Sequence, residues 1–103
     1  MQGILMKSET LEKTILSHRK DNVATATSPI EPGTLLQFTK GRKVKAIEEI
    51  PFGHKIALRK IPEGGPVIKY GESIGKAVRT IRPGELVHIH NVEGKCGKRR
   101  KQD

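Results

Sequence analysis

The chain has no tryptophan, one tyrosine, two phenylalanines and a single cysteine, Cys96, in 103 residues. One cysteine excludes an intramolecular disulfide and fits a reducing compartment. So few aromatics leave almost no platforms for stacking bases, which makes nucleic acid an unlikely partner despite a formal charge of +9. No apolar run approaches the roughly 20 residues that cross a bilayer, and no apolar signal core opens the chain; no membrane partner is expected, and the expected location is cytoplasmic. Phosphate-loop and dinucleotide fingerprints are missing too, because Gly71 and Gly75 lack the remaining spacing.

What is present is a small β-type composition. The apolar residues are mostly Ile, Val and Leu, and they are interrupted by eleven Gly and six Pro, a combination that favours short strands joined by turns. A chain this short buries a limited core, so a large enclosed active site is not expected from it alone and a partner chain, or a homo-oligomer, is. The positive charge suits an anionic partner. Residues 92–103 hold five Lys/Arg and two Asp/Glu and contribute +3, which leaves +6 over the other 91 residues.

The chain divides into an N-terminal extension over 1–14, a β domain over 15–92 and a basic tail over 93–103. Met1–Ser8 is a polar mixture, and Leu11, Ile15 and Leu16 fit either a short helix or a first strand. His18–Asn22 is a polar turn, with a strand of small residues at Val23–Ala26. A turn signal then recurs: Ile30-Glu31-Pro32-Gly33, Ile50-Pro51-Phe52-Gly53, Ile61-Pro62-Glu63-Gly64 and Ile81-Arg82-Pro83-Gly84, at intervals of 20, 11 and 20 residues. Proline presets φ near −65° and glycine tolerates positive φ, so each tetrad can reverse the chain while its isoleucine anchors the corner. Strands are expected at Leu35–Thr39, Arg42–Ile47, Lys55–Leu58, Val67–Tyr70 and Leu86–His90, with room for a helical turn in Glu72–Thr80. The tail carries Lys95, Lys98, Arg99, Arg100 and Lys101 and is expected to be disordered; its cations favour the Cys96 thiolate, but a mobile tail is a poor place for catalysis.

His88-Ile89-His90-Asn91 is the densest group of ligand atoms. On a strand, His88 and His90 share a face, where two imidazoles can hold a metal or an anion, or can simply be polar residues on a solvated surface; spacing alone leaves both open. His54 follows a turn glycine and precedes Lys55, at a strand mouth. His18 is followed closely by Asp21, which can orient an imidazole. Lys69 and Tyr70 precede Gly71 and can contact a carboxylate, or can mark a bulge that needs glycine.

Four ordered stretches carry a resemblance: Asp21–Ala24, Gly53–Leu58, Val67–Ala77 and Gly84–Asn91. Together they resemble the N-terminal SAF module of the altronate and galactarate dehydratase family over about residues 15–92. The resemblance implies a β-clip fold and a part in eliminating water from a sugar acid such as altronate or galactarate, or from a related hydroxy acid. It also implies dependence on a divalent metal, typically Fe2+, with Mn2+ or Mg2+ as alternatives, and a large dehydratase subunit as partner. On that pattern His54, Lys55, Lys69 and Tyr70 are expected to be catalytic, Asp21, Asn22 and Asn91 to bind substrate, and His18, His88 and His90 to bind metal. Arg19 departs from the family's usual proline after the first histidine. A non-catalytic carbohydrate- or anion-binding module is the alternative, and a basic nucleic-acid-binding β domain a third, resting on charge alone.

Overall fold

The computed structural model describes residues 9–10, 13–38 and 41–94. Ten short strands follow in chain order: β1 (Glu9–Thr10), β2 (Thr14–Leu16), β3 (Val23–Ala26), β4 (Leu35–Gln37), β5 (Lys43–Lys45), β6 (Lys55–Ala57), β7 (Pro66–Lys69), β8 (Glu72–Ala77), β9 (Leu86–Val87) and β10 (Val92–Gly94). None of the described residues is in an α-helix. The strands form three antiparallel sheets, one of five strands in the order β1-β2-β3-β6-β9, one of three in the order β10-β8-β7, and the hairpin β4-β5.

The four tetrads are the corners that hold these sheets together. Gly33, Gly53, Gly64 and Gly84 take φ values of 83–89°, the left-handed region that a turn of this kind needs at its third residue. The N–H that follows each glycine closes the turn onto a carbonyl three residues back, at 2.7–3.1 Å. The corners then pair reciprocally. Ile30 and Ile50 exchange both backbone hydrogen bonds at 2.9 Å, and Ile61 and Ile81 do the same at 2.8–2.9 Å. The two intervals of 20 residues are therefore the distances between paired corners, and the interval of 11 links one pair to the next.

A further regularity lies in the same repeat. Each glycine donates its N–H to the carbonyl of an alanine in the partner corner: Gly33 to Ala46, Gly53 to Ala26, Gly64 to Ala77 and Gly84 to Ala57. Each of those alanines stands four residues before an anchoring isoleucine, and each glycine is followed three residues later by a buried Leu36, Ile56, Val67 or Val87. The repeating unit is thus Ala-x3-Ile-x2-Gly-x2-aliphatic, and all four isoleucines are at most 1 % exposed.

Two cores result. Successive residues of a strand face opposite ways, so in β6 Ile56 joins one cluster with Ile30, Leu36, Val44 and Ile50, while Ala57 joins the other with Ile61, Val67, Ala77 and Ile81. The corner pair Ile30/Ile50 closes the hairpin β4-β5 over one cluster, and Ile61/Ile81 closes β7-β8 over the other.

Four expectations change. Glu72–Ala77 is a strand, not a helical turn, because it pairs on both sides, with β7 and with β10. The strand expected at Leu86–His90 stops at Val87, and His88–Asn91 forms a turn. Glu9–Thr10 and Thr14–Leu16, partly within the stretch read as an extension, are strands that extend the main sheet. The tail expected to be disordered over 93–103 is ordered at its start, where Glu93 and Gly94 pair with β8 in β10; its remainder, residues 95–103 with Cys96, lies outside the described residues.

The corners give a direct contrast in stability. A methyl added at Gly64 meets nothing, so Gly64→Ala costs only the left-handed backbone, about 1–2 kcal/mol. At Gly84 the added carbon collides with the backbone carbonyl of Lys45. Urea unfolding is expected to show Gly84→Ala losing clearly more than Gly64→Ala; equal losses would contradict this close approach.

Candidate functional site

Register brings two histidines together. In the β6-β9 pair Lys55 lies opposite Val87 and Ile56 opposite Leu86, so the residues just beyond, His54 and His88, emerge side by side. Their rings stack with centroids 4.5 Å apart and planes inclined by 28°. His54 Nδ1 lies 3.3 Å from the Phe52 carbonyl oxygen. In the tautomer that donates this bond, Nε2 keeps a lone pair free for a proton or a ligand. His88 has its pKa lowered from the ordinary 6.5, by desolvation first and then by the positive charge of His54, His90 and Lys55. Lys55 brings a positive charge to this imidazole, which suits the corner to an anion.

Asn91 sets the exposure of this group. Fully buried, it accepts the His88 N–H on Oδ1 at 2.9 Å, donates from Nδ2 to the Leu86 carbonyl at 2.7 Å, and donates its own N–H to the His88 carbonyl at 3.0 Å. The turn it closes holds His88, Ile89 and His90 outward, all three exposed.

A second group forms at the opposite end of β3. Asp21, at 0 % exposure, accepts three backbone N–H groups: His18 and Tyr70 at 3.1 Å and Gly71 at 2.8 Å. Tyr70 and Gly71 both have positive φ, 59° and 78°, and Tyr70 is the sole non-glycine in that region among the described residues. The buried carboxylate explains why the chain tolerates it, since two N–H groups converge on one acceptor. Lys69 is nearly buried, donates from Nζ to Ser17 Oγ at 3.2 Å and lies 4.4 Å from the Tyr70 ring centroid. Burial lowers its pKa, partly offset by Asp21. The His18 ring lies over Gly71, where a methyl would come within 3.1 Å of Cδ2 and Nε2.

These placements revise several expected roles. Asp21, Asn22 and Asn91 are buried and committed to the backbone rather than open to substrate. Asn22 donates from Nδ2 to the Pro66 carbonyl at 2.9 Å and accepts the Ile68 N–H at 2.8 Å, pinning β7 to β3. The expected metal set is divided. The Ala26 N–H donates to the His54 carbonyl at one end of β3, whereas His18 precedes the other end, across four residues of strand or about 13 Å. His18 Nδ1 already accepts the Lys20 N–H at 3.0 Å, which places the ring proton on Nε2 and leaves no free lone pair. Among the described residues no three His, Cys, Asp or Glu side chains are grouped to hold an ion. His54, Lys55, His88 and His90 do come together; Lys69 and Tyr70 form a separate pair. Phe52 and Ile89, exposed and close in the chain to His54 and His88, carried no signal in the sequence, because an isolated apolar residue in a turn resembles any core residue.

Comparison with known proteins accounts for the pattern. Residues 12–95 match the altronate/galactarate dehydratase SAF domain. The chain belongs to that family. It is 40 % identical over 76 residues to the altronate dehydratase of Bacillus subtilis, covering 74 % of this chain and 15 % of that one. It is 44 % identical over 72 residues to the galactarate dehydratase (L-threo-forming) of Escherichia coli, covering 68 % and 13 %. It is also 52 % identical over 48 residues to the alpha subunit of (2R)-sulfolactate sulfo-lyase from Chromohalobacter salexigens, 47 % of this chain and 51 % of that one. The chain therefore spans about a seventh of the dehydratases and about half of that alpha subunit. No helix among the described residues is long and apolar enough to cross a membrane.

Two measurements check the assignments. Asp21→Ala strips an acceptor from three N–H groups and is expected to cost at least about 3 kcal/mol in denaturant unfolding, against less than about 0.5 kcal/mol for the exposed His90→Ala; similar losses would show that Asp21 is no structural pin. In an NMR pH titration His88 is expected to titrate below 6.5 and to move upward in Lys55→Ala. Because its folded pKa is depressed, protonation of His88 favours the unfolded chain, so its contribution to stability is lost as pH falls through that value.

Proposed function

We propose that this chain is the small subunit of a lyase that acts on a 2-hydroxy acid, and that the His54/His88 corner with Lys55 and His90 receives the acid. The observation that carries this reading is the stacked imidazole pair, with Lys55 beside it, in a chain that matches the family's SAF module over residues 12–95. The dehydratase relatives are named for sugar acids, which supports altronate, galactarate or a similar acid as substrate. A specific observation favours a second substrate: two relatives are named as alpha subunits of sulfolactate sulfo-lyase, and the chain spans 79 % of the one from Paracoccus pantotrophus at 45 % identity over 53 residues.

Both substrates call for one reaction. The C2 proton goes to a base, its electron pair forms the C2–C3 double bond, and the C3–O or C3–S bond breaks. The leaving group departs with that bond's electrons, as water once protonated or as sulfite, and the enol becomes a 2-keto acid. An imidazole Nε2 with its lone pair free is suited to accept or return a proton, and a low pKa keeps His88 neutral near pH 7. Lys55 neutralises the carboxylate, whose charge grows as the C2 proton leaves. The divalent metal, ferrous iron by the family resemblance, would polarise the leaving group; its ligand set would have to be completed by the larger chain, since the described residues of this one offer no group of three.

The test is purification of the tagged chain from its native host, followed by assay of the eluate on altronate, galactarate and sulfolactate with and without added ferrous iron. A large chain of the lyase family and turnover of one acid are expected, with turnover falling about 100-fold or more in His88→Ala. Recovery of the chain alone, binding these acids without turning them over, would favour the non-catalytic binding module instead.

A further inference from the structure

Ile89 is 82 % exposed and Phe52 68 % exposed. They adjoin the imidazole pair along the chain: the Phe52 carbonyl faces His54 Nδ1, and Ile89 follows His88. Each occupies the second position of a hydrogen-bonded four-residue turn, Pro51–His54 and His88–Asn91, and the second turn is held by buried Asn91. Two exposed apolar side chains thus stand on hydrogen-bonded turns next to the stacked histidines. Single exposed apolar residues need no explanation, but two adjoining one candidate site do.

We infer that this face, Phe52 and Ile89 with the adjoining His54/His88 stack, is where the large lyase chain docks, so that substrate is enclosed between the two chains. The inference rests on the small-subunit reading. The occupant follows from three observations. The dehydratase relatives carry some 85 % of their length outside the matched module. The imidazoles lie on an open surface, whereas the proposed elimination needs a site closed to water. Lys55 brings a positive charge to the stacked pair, and a complementary acidic or substrate-bearing surface is left to come from the other chain.

The test compares the tagged full chain with Phe52→Asp, Ile89→Asp and the double variant in the native host, with captured proteins identified by mass spectrometry. Tyr70→Asp is the control, because Tyr70 is also 68 % exposed but lies at the other end of β3. Wild type and Tyr70→Asp are expected to capture a large lyase-family chain, and the double variant to lose at least tenfold of it with an unchanged unfolding midpoint. Undiminished capture by the double variant would overturn the docking face while leaving the small-subunit reading intact. Failure of the wild type to capture any lyase chain would remove that reading and the docking face with it. A wild-type dimer in light scattering that the double variant converts to monomer, with capture unaffected, would assign the face to a second copy and overturn the proposal.

Discussion

The reciprocal pairing of chain corners is the constraint on which the remaining structure depends. Among the described residues no strand exceeds six residues, and a sheet of such short strands has little ladder to stabilise it. The corners compensate. Each contributes a buried isoleucine, a left-handed glycine and a backbone bridge to its partner, so Ile30/Ile50 and Ile61/Ile81 close two hairpins onto opposite faces of one sheet. Replacing any of these fully buried isoleucines by alanine removes a side chain from a site with no solvent access, a change that costs about 2–5 kcal/mol and is large against the stability of a small domain.

The same frame decides which polar residues are free for chemistry. Asp21, Asn22 and Asn91 sit where the chain must turn without a ladder partner, and each supplies the hydrogen bonds that the backbone would otherwise lack. Burial of an unpaired N–H is costly, so these side chains are committed to the fold. His88, His90 and Lys55, at or just beyond strand ends, have no such duty. Division of labour therefore follows position: polar side chains inside the turns shape them, and those just beyond the strands form the cationic corner. The Tyr70 conformation is a product of the first group, held by the Asp21 carboxylate through its own N–H and that of Gly71.

Much of this was legible in the residues and some was not. The Ile-x2-Gly corners, the strand at Val23–Ala26 and the mostly β architecture follow from proline, glycine and β-branched patterning, which are local signals. Pairing between corners is non-local, yet the equal intervals of 20 residues and the alanine four residues before each isoleucine encode it. The site was read less well. His88 and His90 were placed on one strand face because alternation suggested it, but Asn91 folds that segment into a turn, an effect of one buried amide that periodicity does not register. Asp21 and Asn22 were expected to bind substrate on the family resemblance alone; their burial arises from Pro66, Ile68, Tyr70 and Gly71, about 45–50 residues away in sequence. The stacking of His54 on His88 likewise depends on the β6-β9 register.

Amide hydrogen exchange, resolved by NMR on the full chain, tests the central claim that paired corners and buried side-chain pins fix the frame from which the histidine corner projects. The account predicts that the N–H groups of Ile30, Ile50, Ile61, Ile81 and the four corner glycines exchange among the slowest in the molecule, together with those of Ile68, Gly71 and His88 that bond to Asn22, Asp21 and Asn91. The N–H groups of Ile89 and His90 should exchange rapidly. Corner amides exchanging as fast as those of Ile89 and His90 would contradict it.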